Sequence, residues 1–150
     1  NVPQIAAESA SGQELARQVQ ALNEEKVGEI NAMNTEMQAS QEKLEQGANV
    51  MSETAAAQLQ RDIGRLQVDI QRATEDAQVE IQALTEELQI DFQNSVYPII
   101  EEVATEKQLH IVLSVTDAGV IWTEPGLNIT ADVIARFDAA HAASGGDDQP

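Results

Sequence analysis

Residues 59–92 read LQRDIGRLQVDIQRATEDAQVEIQALTEELQIDF, and the spacing of their apolar residues decides how this chain folds. Successive apolar residues lie three or four positions apart, which places them on one stripe of a helix. They are Leu59, Ile63, Leu66, Ile70, Ala73, Ala77, Ile81, Leu84, Leu88 and Phe92. The intervals alternate between four and three residues up to Ala77. After Ala77 they are four, three, four and four residues, which approaches an eleven-residue repeat. The stretch therefore predicts one long helix with a narrow seam, close to that of a coiled coil.

A second apolar stripe of the same kind lies upstream. Its members are Leu15, Val19, Leu22, Ile30, Met33, Met37 and Leu44. Lys26 stands where one apolar residue of the stripe is missing, and Ser11 with Glu14 reads as a capping box. Residues 46–49, QGAN, end the stripe, because Gly is favoured just past a helix end and Asn can cap the next helix. Two such helices joined by a short turn predict an antiparallel helical hairpin.

The apolar period changes after Lys107. Residues 109–115, LHIVLSV, are continuously apolar and rich in β-branched side chains, which predicts a buried strand. Residues 116–119 predict a turn, and residues 120–123, VIWT, a second strand. Thr130 is then expected to cap a short helix through about Ala139.

The predicted fold class is therefore α+β and mostly α. Residues 1–10 and 94–140 are expected to form a small β/α body, and residues 11–93 a helical-hairpin arm with its tip near residues 46–50. Residues 141–150 are expected to be a disordered tail. Pro98, inside the helical pattern, predicts a kink where the arm enters the body.

The predicted body is too small to be stable alone, because a two-stranded hairpin with one short helix buries little apolar area. It therefore needs either another strand or other subunits. The residues expected to form the body core and the subunit contact are Val112, Leu113, Ile121, Trp122 and Ile129.

The charge balance excludes several classes of function. The chain has 8 Lys and Arg against 26 Asp and Glu, a formal net charge of −18. Such a polyanion repels phosphate backbones, which excludes nucleic acid as a partner, and contact with anionic membranes is disfavoured for the same reason. The absence of cysteine excludes disulfides and thiol catalysis, and no apolar run in the sequence is long enough to span a bilayer.

No pattern in the sequence indicates an enzyme. The two histidines are His110 and His141, and no acid, base and nucleophile set surrounds either of them. There is no glycine-rich phosphate loop and no group of residues at metal-ligand spacing. The sequence therefore predicts no catalytic residue, no metal and no cofactor.

Two segments at the junction of the second helix and the expected body indicate a known family. Residues 97–107, YPIIEEVATEK, with the apolar segment after them, and residues 126–134, GLNITADVI, resemble the Skp family of OmpH-like periplasmic chaperones. Asn1 and Val2 would match the end of that family's first strand. The resemblance implies a homotrimer whose strands form a small barrel-like body. It also implies that three helical arms hold unfolded outer-membrane β-barrel proteins in a cavity, in the periplasm and without ATP.

The resemblance gives four apolar residues near the arm tip a candidate role in client binding. They are Met33, Met37, Leu44 and Met51. Methionine is flexible and polarizable, which suits surfaces that accept many partners. Ordinary packing in the hairpin seam is the alternative explanation, because the same residues also satisfy the seam.

The charge of the arm departs from the family pattern. Family arms are often basic, whereas residues 13–93 carry 6 basic and 16 acidic residues, and no Lys or Arg lies between Arg72 and Lys107. Contact with lipopolysaccharide through Lys and Arg is therefore disfavoured.

A structural coiled-coil spacer or envelope tether remains the alternative function. A prefoldin-like chaperone fits less well, because here the expected strands follow the second helix.

Overall fold

The computed structural model describes residues 1–47, 50–115 and 118–144, and the regular structure in them is helical. The helices are α1 (Val2–Glu8), α2 (Ala10–Gly47), α3 (Glu53–Glu106) and α4 (Thr130–Ser144), with a 3-10 turn at Pro125–Leu127. Helices α2 and α3 are the two long helices that the apolar spacing predicts. The predicted tip includes residues 48–49, and the predicted disordered tail includes residues 145–150, which all lie outside the described residues.

The prediction of an α+β fold is wrong. Residues 109–115 and 120–123 form no strand, and the described chain is all-helical. A strand is stable only when its backbone groups pair with a neighbouring strand, and no such pairing occurs among the described residues. A backbone hydrogen bond within this segment is local, because the Ala118 N–H donates to the carbonyl of Ser114, four residues earlier, at 2.9 Å. Of the predicted turn, residues 116–117 lie outside the described part of the chain.

The chain divides into two compact units. Unit 1 combines Asn1–Gln18 with Thr85–Pro150 as far as it is described, and unit 2 is Val19–Leu84. Unit 2 is a hairpin of α2 and α3 in which Ile63 and Ala77 are the buried hydrophobic residues. Most other seam residues of this unit are half-buried. This is expected of two helices that bury only one narrow stripe between them.

The core of unit 1 lies between the C-terminal part of α3, helix α4 and helix α1. Its buried members are Ile5, Phe92, Val96, Ile99, Val103, Val133 and Phe137. The rings of Phe92 and Phe137 meet edge to face, with centroids 5.6 Å apart and planes at 87°. At the rim, Lys107 pairs with Asp132 at 2.9 Å, and Arg136 pairs with Glu106. Apolar burial and these ion pairs together hold α4 on α3.

The N-terminal segment is helical, so the predicted match of Asn1 and Val2 to the end of a strand is wrong. The Asn1 side chain accepts a hydrogen bond from the Gln4 N–H at 3.3 Å and so caps α1. Helix α2 begins earlier than the capping box at Ser11 predicts. The buried Ser9 hydroxyl accepts from the Gly12 N–H at 3.1 Å and provides the cap.

Helix α4 begins at Thr130, as expected, and continues to Ser144, beyond the predicted end at Ala139. Among the described residues, the Thr130 hydroxyl accepts a hydrogen bond from the Asn1 ammonium at 3.1 Å and none from the first N–H groups of its own helix. The Asn128 side chain instead accepts from the Thr130 N–H at 3.0 Å.

Helix α3 continues through Pro98 without a break. Proline has no N–H to donate to the carbonyl of residue 94, one turn earlier. Close by, the Ser95 hydroxyl donates to the Asp91 carbonyl at 2.8 Å, a bond that often accompanies bending of a helix. A kink at Pro98 stays a prediction.

Candidate functional site

The four residues predicted to contact clients lie in unit 2 and are half-buried. Met33, Met37 and Leu44 belong to the seam side of α2, and Met51 follows in the turn after the helix. The Met51 methyl group lies over Gly47, at 2.7 Å from the position that a Cβ of residue 47 would occupy. Each of the four side chains therefore packs in the hairpin and also presents apolar surface to solvent. A role in client contact stays a prediction.

Lys26 fills the apolar gap in the seam with an ion pair between the two helices of unit 2. Its side chain is 20% exposed, and its Nζ lies 2.6 Å from Glu80 Oε2 and 4.0 Å from Glu29 Oε2. The hydrogen bond that the Lys26 ammonium donates to the Glu80 carboxylate raises the pKa of Lys26 above its ordinary value, and partial desolvation opposes this rise. The gap in the seam is thus the position of a specific cross-helix contact.

The raised pKa of Lys26 predicts a loss of stability in alkali. A group whose pKa is raised by folding stabilises the protein fully below its unfolded pKa of about 10.4. That contribution is lost as the pH rises through the folded value. We expect the free energy of unfolding of K26M to fall less between neutral and strongly alkaline pH than that of the native chain, as measured by urea titration followed by circular dichroism.

Lys43 offers a matched control for this titration. It lies exposed on the same helix and forms no ion pair among the described residues. K43M should therefore keep the alkaline loss of the native chain. Identical pH profiles for K26M and the native chain would contradict the assignment of this loss to Lys26.

The residues predicted to form the body core lie mostly outside the core of unit 1. Val112 and Leu113 are 42% and 60% exposed, and Ile121 and Trp122 are 100% and 79% exposed. Ile129 differs from them, because it is partly buried against the core. Four of the five therefore present apolar surface to solvent in the single chain. Their role in subunit contact stays a prediction.

A shallow apolar pocket lies beside this exposed segment in unit 1. Its volume is about 280 Å³, and its apolar walls include Ile111, Val115, Val120 and Leu127. Polar residues, among them Asn128 and the buried Thr130, also line the pocket. The pocket can accept an apolar side chain of a partner, but it holds no arrangement of groups for chemistry.

Two exposed apolar residues of α3 in unit 1 lie outside the seam from which the helix is predicted. Ile90 is 59% exposed and Tyr97 is 52% exposed. The sequence indicates their position, because Ile90 and Tyr97 do not continue the three- and four-residue spacing of the seam residues Leu88 and Val96. A second apolar spacing of seven residues on a charged helix indicates a second face.

The described residues contain no group of three or more potential metal ligands. No helix in the same ranges is both long enough and apolar enough to cross a bilayer.

Comparison with known proteins identifies the family. The profile of the OmpH family, described as "Outer membrane protein (OmpH-like)", matches residues 1–137. The chain belongs to the OmpH-like family. The resemblance in the sequence is thereby confirmed, and so is the prediction that the chain is not an enzyme, because the family is non-enzymatic.

A solved structure shares the fold of this OmpH-like chain. It is the crystal structure of a Caulobacter crescentus protein described as a candidate outer membrane chaperone (OmpH-like). The TM-score is 0.85 at 17% sequence identity, with 92% of this chain and 80% of the other covered. At this identity the likeness establishes the fold alone. No curated protein matches the sequence.

Proposed function

We propose that this OmpH-like chain is a periplasmic chaperone that holds unfolded outer-membrane proteins without ATP. The observation that carries the proposal is the apolar surface that unit 2 leaves open to solvent, where Met33, Met37, Leu44 and Met51 are only half-buried. Exposed apolar patches on a protein of such high charge mark surfaces that bind other polypeptides. Membership of the OmpH-like family and the description of the Caulobacter relative as a candidate chaperone support the same function.

Holding a client in this way needs only many weak apolar contacts. Met33, Met37, Leu44 and Met51 provide adaptable side chains that are partly open to solvent. Contacts of this kind bind the unfolded state, which exposes apolar residues, and not the native state, which buries them. Aggregation is then delayed by mass action. Several chains that surround one client would make weak contacts tight, because the effective concentration is high.

We propose a homotrimer as the assembled form. The exposed side chains of Val112, Leu113, Ile121 and Trp122, with Ile129 beside them, would form the contact between the three chains. Burial of an aromatic and several aliphatic residues is typical of the centre of a stable interface. A trimer of chains of 16.2 kDa has a mass of 48.6 kDa, which light scattering can measure directly.

The negative charge of the chain narrows the proposed partners. With a net charge of −18, the surface repels lipopolysaccharide phosphates and anionic lipid headgroups. The same charge favours clients that expose Lys and Arg, and it limits unspecific association between copies. Unfolded polypeptides, and not the membrane surface, are therefore the proposed binding partners.

Dilution of a urea-unfolded porin into the purified chain tests the proposal. We expect a soluble complex of one porin with a 48.6 kDa trimer, measured by size-exclusion chromatography with light scattering. Precipitated porin beside free chain would contradict the proposal and favour a structural spacer or tether.

Paired variants then test the residues of unit 2. M33Q/M37Q should weaken holding at least about twofold, because several apolar contacts are lost together. V27Q/V68Q is the matched control, since both valines are 48% exposed and lie outside the proposed contact. Equal loss in the two double variants would rule out a special role of the methionines.

A further inference from the structure

Five residues of α3 in unit 1 form a face turned away from the core, which we call the outer face. They are Glu87, Ile90, Asn94, Tyr97 and Glu101, at intervals of three, four, three and four. At about 100° per residue these positions lie opposite the core residues of the same helix, such as Phe92 and Val103. All five side chains are exposed.

The outer face combines an apolar centre with charged ends. Ile90 and Tyr97 lie two turns apart in the middle, with 59% and 52% of their surfaces exposed. Glu87 and Glu101 stand at the two ends, about 21 Å apart along the helix. Neither carboxylate has a hydrogen bond or an ion pair among the described residues. The face is therefore an unpartnered helix surface with two carboxylates available to a ligand.

The surrounding charge selects the kind of ligand. From Thr85 to Glu106 the helix carries six carboxylates and no Lys or Arg. The nearby cations Lys107 and Arg136 are already paired, with Asp132 and with Glu102 and Glu106. A second copy of this chain, or an anionic lipid, would bring like charges together at this face.

We propose that the outer face binds a polypeptide segment with Lys or Arg on both sides of an apolar stretch. The cations would pair with Glu87 and Glu101, and the apolar side chains would cover Ile90 and Tyr97. The Tyr97 ring can also accept an Arg guanidinium on its face. This inference rests on the proposed function only in that the segment belongs to an unfolded client.

Binding of two matched peptides by the full-length chain tests the inference. Both are unstructured and of about eight residues, so that the two ends lie about 23 Å apart when the peptide is extended. They have the same apolar centre, but one has Lys at both ends and the other has Glu. We expect the Lys peptide to bind at least about tenfold more tightly at low ionic strength, and this advantage to shrink toward 1 M salt. Equal binding of the two peptides by the native chain would overturn the proposal.

Variants locate the contact. E87Q/E101Q should lose most of the preference for the Lys peptide, and I90S/Y97S should weaken both peptides. E36Q/E45Q removes the same charge from exposed positions of unit 2 and should keep the preference. Circular dichroism checks that each variant is folded. Equal losses in E87Q/E101Q and E36Q/E45Q would show a general charge effect and contradict a specific face.

Aggregation of the unfolded porin, measured on the same proteins, separates this inference from the proposed function. A native chain that holds the porin, with E87Q/E101Q unchanged in peptide preference, would overturn the outer face and leave the chaperone function standing. A native chain that prefers the Lys peptide through Glu87 and Glu101 but fails to hold the porin would overturn the proposed chaperone function and leave the outer face standing.

Discussion

Replacing Phe137 with alanine is expected to lower the free energy of unfolding by about 3–5 kcal/mol. Phe137 is 5% exposed and packs edge to face against Phe92, between α4 and α3. The substitution removes a buried ring and leaves a cavity that the surrounding helices fill only in part. Because small domains are stable by only about 5–15 kcal/mol, such a loss should remove a large share of the stability of unit 1. Urea denaturation followed by far-UV circular dichroism measures it.

Tyr97→Ala is the control for the loss of an aromatic ring. Tyr97 lies in the same unit but is 52% exposed, so its replacement should change stability by less than about 1 kcal/mol. A loss at Phe137 as small as the loss at Tyr97 would mean that α4 contributes little to the core.

Gly12→Ala is expected to destabilise the chain by about 1–3 kcal/mol, although alanine is the better helix former. A Cβ at Gly12 would overlap the Ala6 carbonyl oxygen and lie 2.7 Å from the carbonyl carbon. Both are backbone atoms, so α1 must move away from α2. The movement would strain the hydrogen bonds that connect the start of α2 to α4, including the one from the Ala10 N–H to Asp138 Oδ1 at 2.8 Å.

The same substitution at two other glycines should have the opposite sign. Gly28 and Gly64 lie inside α2 and α3, and a Cβ at either would meet nothing within 4 Å. Alanine there should stabilise the helix by about 0.5–1 kcal/mol, because glycine loses more backbone freedom on folding. Thermal unfolding of the three single variants measures the contrast. Equal shifts for all three would contradict the close approach of Gly12 to Ala6.

The long helices could be predicted from the sequence because their evidence is local and repeated. Ile63 and Ala77 sit in a seam that recurs over many turns, and the break at Gly47 is a strong end signal. Lys26, which interrupts the stripe, also indicates a contact, because a charge among apolar residues needs a partner. Glu80 is that partner. The spacing could not indicate which residue of the second helix would be that partner.

The segment from Leu109 to Thr123 could not be predicted from its composition. A β-branched, apolar run is suited to a strand, but a strand also needs a pairing partner, which composition does not supply. In the described chain the run instead leaves Ile121 fully exposed. Helix α1 was missed for another reason. Its seven residues are too few for a periodic pattern, although the Asn1 cap and the early Pro3 are local signals of a helix start.

The position of Trp122 determines what optical experiments on this chain will report. It is the single tryptophan of the sequence, and it is 79% exposed, outside the core of unit 1. Its emission in the free chain should already resemble that of indole in water, so denaturation should shift the wavelength of the emission maximum only a little. Coverage of the ring by another polypeptide should shift the emission to the blue. The single chain therefore carries a fluorophore whose emission responds little to unfolding, and assembly into the proposed trimer should shift that emission to the blue.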